Sequence, residues 1–134
     1  NLAATLVRNR QFSEAEKDLG EAETIFGLHL PDNHPRRAFP ALTRAELRIA
    51  QGRFVSAQSE ASRAFSLLSK ALPAGHFATE VARCRIGIAL AGQGKVREAR
   101  PLLKAAYRGL TGSKMPVPDR YLVPCKDAAT KFAT

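Results

Sequence analysis

Gly52-Arg53-Phe54-Val55-Ser56-Ala57 decides the fold, because it has a copy on either side. Arg10-Gln11-Phe12-Ser13-Glu14-Ala15 lies 42 residues before it, and Gly94-Lys95-Val96-Arg97-Glu98-Ala99 lies 42 residues after it. The register holds beyond these anchors, without a gap. Ala22, Ala64 and Ala106 share one offset, Leu19, Ala61 and Leu103 another, Leu30-Pro31 matches Leu72-Pro73, and His34 matches His76. A fixed period in this size range is the mark of a stacked repeat architecture.

Within each unit a large apolar residue (Phe12, Phe54, Val96) is followed at +3 by Ala, at +7 by Leu or Ala and at +10 by Ala. That is one stripe of a 3.6-residue helix, and its small residues allow close helix packing. Gly52 and Gly94 stand between this stripe and a preceding apolar helix, where a positive φ closes one helix and turns into the next. The first unit has Arg10 there, and Asn9 before it is expected to take the strained position instead. The preceding helices are also amphipathic: Ala38, Leu42, Ala45 and Ile49, then Phe77, Val81, Cys84, Ile88 and Ala91. Leu30-Pro31-Asp32-Asn33-His34-Pro35 and Leu72-Pro73-Ala74-Gly75-His76 carry the residues that end one helix and start another. The pattern predicts helices at about 1 to 9, 11 to 29, 36 to 51, 53 to 71, 77 to 93, 95 to 111 and 118 to 132. Pro40 moves the expected start of the third helix towards Phe39, and Pro101 implies a local kink in the sixth.

The 134 residues, 45% hydrophobic and 25% charged, fit one globular unit, and the absence of alternating β-branched runs points to an all-α fold. No apolar run approaches the roughly 20 residues that span a bilayer, and no signal-peptide pattern opens the chain, so a cytoplasmic location and no membrane partner are expected. Cys84 and Cys125 lack CxxC spacing and read as unpaired, buried or idle thiols. The chain opens on Asn1 in what reads as mid-helix, so a piece of a longer protein is expected.

These residues resemble tetratricopeptide repeats, in the 42-residue variety found in kinesin light chains and many bacterial signalling proteins. The family pattern of Leu-Ala, Gly-x-Phe/Tyr-x-x-Ala and a second Ala is carried by Leu2-Ala3, Phe12, Ala15 and Ala22. It recurs in Ala45, Gly52, Phe54, Ala57 and Ala64, and in Gly87, Gly94, Val96, Ala99 and Ala106; Arg44 and Arg48 depart from it. The resemblance implies a right-handed superhelical array of about three antiparallel helix-turn-helix units (about 1 to 33, 34 to 75 and 76 to 110). Residues 111 to 134 follow as a tail in which Tyr121, Leu122, Ala128 and Phe132 could form a capping helix. It also implies a protein or peptide partner held in the inner groove, lined by Asn1, Arg8, Phe39, Leu42, Thr43, Glu46, Ile49, Val81, Cys84, Arg85 and Ile88. Asn1 matches the asparagine that grips a ligand backbone in such grooves, but Thr43 and Arg85 replace it in later units. A chaperone-type carboxylate clamp is not reproduced, since Leu42, Cys84, Glu46 and Ile88 occupy its places. If the groove is used, Asp at Leu42 and Ile88 is expected to abolish binding and leave helicity intact.

No catalytic, cofactor or metal site is expected. His34 and His76 recur at equivalent connector positions, which repeat geometry explains, and His29 has no partner motif. The acidic run Glu14, Glu16, Asp18, Glu21 and Glu23 reads as a solvated helix face near a positive helix start. The net charge of +9 is uneven: residues 1 to 33 carry −3, 34 to 75 carry +5 and 76 to 134 carry +7. Its basic groups fall on several helix faces, with few aromatics to stack on bases, so an acidic protein partner fits better than nucleic acid. The polarity also permits end-to-end association of two copies. An interaction scaffold is the resulting expectation, with packing on another domain of the parent chain as the alternative.

Overall fold

The computed structural model describes residues 2 to 133, and Asn1 and Thr134 lie outside that description. Among the described residues there are seven α-helices and no strand: α1 (Leu2–Arg8), α2 (Phe12–His29), α3 (Ala38–Ala50), α4 (Phe54–Ala71), α5 (Phe77–Gly92), α6 (Val96–Thr111) and α7 (Asp119–Phe132). A 3₁₀ turn, Pro35–Arg37, leads into α3, so Pro40 sits in that helix's first turn, where the missing N–H costs nothing. Pro101 lies inside α6, which runs unbroken from Val96 to Thr111. No helix among the described residues is long and apolar enough to cross a membrane.

The three hairpin turns are the same motif. Gly52 N–H donates to Ile49 O (3.0 Å) and Arg53 N–H to Arg48 O (2.8 Å); Gly94 and Lys95 repeat the pair onto Ala91 and Leu90, and Arg10 and Gln11 onto Val7 and Leu6. This double bond onto the last helical turn requires positive φ two residues before Phe12, Phe54 or Val96. Gly52 and Gly94 supply it at 73° and 81°, and Arg10 adopts it at 60°. The strained residue is therefore Arg10 and not Asn9: the motif's register fixes the position, and the preference of asparagine for such φ values is outweighed. In the connectors, His34 Nδ1 accepts from Arg36 N–H and His76 Nδ1 from Ala78 N–H, each at 3.1 Å. The repeated histidine thus caps the helix that follows.

The first helices of the units pack in a row, α1 on α3, α3 on α5 and α5 on α7, whereas α2, α4 and α6 are separated from one another by that row. A stack whose inner members touch and whose outer members do not is curved, with its concave side along α3, α5 and α7. Helix α7 begins one 42-residue period after α5 and occupies the place of a fourth first helix. Its Cys125, Ala128 and Ala129 are buried, and Tyr121, Leu122 and Phe132 pack on the apolar cluster that runs from α3 to α7. Cys84 of α5 and Cys125 of α7 form a disulfide, with Cα atoms 5.9 Å apart. The expectation of unpaired thiols is corrected: spacing in sequence excludes a CxxC site, but α7 returns to α5 and brings the two sulfurs together.

The core is divided. Ala3, Leu6, Val7, Ala15, Leu19 and Leu47 form one apolar cluster, and α4 to α7 with part of α3 form the other. Between them runs an ionic seam. Arg44 donates from Nε to Glu16 Oε1 (3.0 Å) and through both terminal nitrogens to Glu23 (2.8 and 2.7 Å), while Arg48 Nη1 donates to Glu16 Oε2 (2.7 Å). One period later, the equivalents of Arg44 and Arg48 are Ile86 and Leu90, which pack in the larger cluster with Ala64 and Leu68. Glu16 and Glu23 are therefore structural partners and not part of a purely solvated acidic face. That reading is corrected because residues 28 and 21 positions away close on them.

Candidate partner-binding groove

The concave face is built where α3, α5 and the start of α7 meet. Arg85, on α5, is 7% exposed and reaches across to α3, where Nη1 donates to the Leu42 carbonyl oxygen (2.6 Å) and Nη2 to Glu46 Oε2 (3.2 Å). Burial pushes its pKa down, and the Glu46 carboxylate opposes that shift. A buried guanidinium that donates to two groups of α3 ties α3 to α5. Its charged plane also lies 5.7 Å from the centre of the Tyr121 ring, so it holds α7 as well.

In front of this tie lies a cavity of about 310 Å³, lined by Phe39, Leu42, Phe77, Ala78, Val81, Pro118, Arg120 and Tyr121. His76 stacks on Phe77 with ring centres 5.0 Å apart, and Phe77 meets Tyr121 at 6.1 Å. Three of the groove residues expected from sequence, Phe39, Leu42 and Val81, thus share one pocket. Glu46 and Arg85 form the ion pair beside it. Thr43 is buried and, with Leu2 and Phe39, lines a second cleft of about 220 Å³ towards α2. Ile49 and Ile88 are half-buried, Arg8 hydrogen-bonds Thr5 on its own helix (3.2 Å), and Asn1 lies outside the described residues. Cys84, 3% exposed, is sealed beneath α7 by its disulfide.

Two expectations change in consequence. Cys84 is a core linkage between two helices, because α7 covers the stretch of α5 on which it sits. Leu42 is 2% exposed and belongs to the core cluster, so an aspartate there would disturb the fold itself; Phe39, 36% exposed, is the residue that probes the groove without unfolding it. Pro118, Arg120 and Tyr121 were not among the groove candidates. Their signal was available: Phe77 plus one period is Asp119, which places the tail helix in the inner row. No group of three or more His, Cys, Asp or Glu that could hold a metal ion exists among the described residues.

Curved stacking of hairpins with this turn and this period defines a tetratricopeptide-like helical repeat fold. The chain is similar in structure to a Podosopora anserina protein described as a kinesin light chain with nearly identical TPR-like repeats, at a TM-score of 0.72 and 22% identity over 97% of this chain. A single-substitution variant of that protein is similar at a TM-score of 0.70, with the same identity and coverage. The chain spans 64% of the length of each. No protein-family model matches the chain, and no curated protein matches it significantly in sequence.

Proposed function

We propose that the chain is a non-catalytic interaction module that receives a peptide segment or partner surface on its concave face, along α3 and α5 and against the start of α7. Helical repeats of this fold commonly serve as protein-interaction scaffolds. The observation that carries the reading is the aromatic-walled cavity of Phe39, Phe77 and Tyr121. It is an apolar recess with one charged group at its mouth, on the inner side of a curved array. Units of about 1 to 33, 34 to 75 and 76 to 110, closed by 111 to 134, are the working division for this module. The test is a selection of random displayed peptides on the purified chain, followed by amide chemical-shift mapping of the best binder. Saturable shifts at Phe39, Glu46, Ile49 and Tyr121, with affinity lost about tenfold in Phe39→Asp at unchanged helicity, are expected. Shifts confined to α2, α4 and α6 would remove the concave face from consideration.

A second reading, docking on another domain of the parent chain, is favoured by Ile25 and Leu28, which are 54% and 75% exposed on α2. Replacing both with Ser leaves peptide binding unchanged if the groove is the working surface.

A further inference from the structure

On the outer side of the array, separate from the concave face, we propose a binding site for a small organic acid, its apolar body seated in the notch between α2 and α4 and its carboxylate paired with Lys70. The notch has a volume of about 540 Å³, within the range of roughly 300–1,000 Å³ typical of small-molecule pockets and more than one inserted side chain would fill. Its apolar lining is Phe26 of α2, the buried Ala38 and Ala41 of α3, and Ala64 and Leu67 of α4.

The next repeat shows what is missing here. One period on, Ala38 and Ala41 become Glu80 and Arg83, and Leu67 becomes Gly109. At that second junction the long side chains take up the corresponding place. Glu80 Oε1 lies 3.7 Å from Arg83 Nη2, and the Arg83 guanidinium lies over the Phe65 ring at 5.3 Å. Glu80 rests so close on Gly109 that a Cβ there would stand 2.7 Å from its Cδ. The first junction has methyl groups where the second has an acid and a base, and the space stays open. Its charges are also unmatched. Both Glu23 oxygens accept from Arg44 (2.8 and 2.7 Å), Asp32 pairs with Arg37 (3.4 Å) and Arg63 with Glu60 (2.8 Å). Lys70, which also lines the notch, is exposed and makes no ion pair among the described residues. It stands one period before Gly112, so this cation too belongs to the first junction alone. The notch therefore lacks both a carboxylate and the bulk beneath it, and an apolar organic acid supplies the two together.

The experiment titrates hexanoate, 1-hexanol and hexylammonium, which share one tail and differ in charge, into the full chain while amide chemical shifts are followed. Hexanoate should give saturable shifts at Ala38, Ala41 and Leu67, with a Kd about tenfold below that of hexanol and hexylammonium the weakest of the three. Lys70→Glu should reverse the order in favour of hexylammonium, and raising NaCl from about 0.05 to about 0.5 M should shrink the preference in the unaltered chain. Ala41→Arg, which restores the side chain of the second junction, should fill the notch and abolish saturation by all three at unchanged helicity. Should that variant lose helicity, Lys70→Glu decides alone, since its side chain lies on the surface. Equal binding of the three probes, a hexanoate preference untouched by Lys70→Glu, or shifts confined to Phe39, Val81 and Tyr121 on the concave face would each overturn the assignment.

Discussion

Replacing Arg44 with Met tests how the first hairpin is held. Its side chain is 10% exposed and makes three charge-assisted hydrogen bonds across the seam to α2, two of them bidentate to Glu23. Breaking a fully buried pair costs about 3–5 kcal/mol, much of it the stranding of the remaining charge. Here the stranded groups are Glu16 and Glu23, with side chains 42% and 39% exposed, so water recovers most of that cost. A loss of roughly 1–2 kcal/mol is expected, visible as a fall in Tm of about 3–8 °C by calorimetry. A cycle with Glu23→Gln should return a coupling of about 1 kcal/mol that declines in about 0.5 M NaCl. Amide exchange should quicken in α1 and α2 and remain unchanged in α5 and α6, because only the first cluster leans on this seam. A coupling of zero, or faster exchange spread evenly over all helices, refutes the argument that ion pairs hold this hairpin.

Three further predictions concern single side chains. Glu80 is 7% exposed, its Oε2 has no hydrogen-bond partner among the described residues, and burial raises its carboxyl pKa against the weaker pull of Arg83. A raised carboxyl pKa means that stability is greatest below the ordinary range near about pH 4 and is lost as pH rises through the folded value. Glu80→Gln should therefore gain about 1 kcal/mol near pH ~7 and nothing near pH ~3.5, as read from urea unfolding; equal effects at both pH values would refute this. Cys125→Ser removes a link that closes 41 positions, and should cost about 2–4 kcal/mol and expose the α7 amides to exchange, with no stability loss on adding a dithiol reductant to the variant. Arg10→Gly relieves a positive φ and should raise stability by about 0.5–1 kcal/mol in chemical denaturation, whereas Asn9→Gly should not.

The period of 42 residues made the fold legible because each hairpin is a local object whose turn, stripe and connector lie close together in sequence. The helix bounds fall within a few residues of those read from the pattern, and His34 and His76 have the structural use that their recurrence implied. What escaped were contacts between elements far apart. Nothing around Cys84 announces Cys125, Arg44 looked like a fault in an apolar pattern until Glu16 and Glu23 faced it, and Tyr121 entered the inner wall only because α7 returns to α5. The groove was legible as a helix face but not as a surface. A periodic position says which side of a helix a residue occupies, and not whether a later helix lies over it.

The ionic seam makes the array mechanically lopsided. One end is riveted, since α7 is bonded covalently to a helix two places back and cannot peel away alone. The α1–α2 hairpin is attached by a small apolar cluster and by charges that water and salt can compete for. Within the described residues, thermal motion should consequently part α1 and α2 from α3 before it parts α7 from α5.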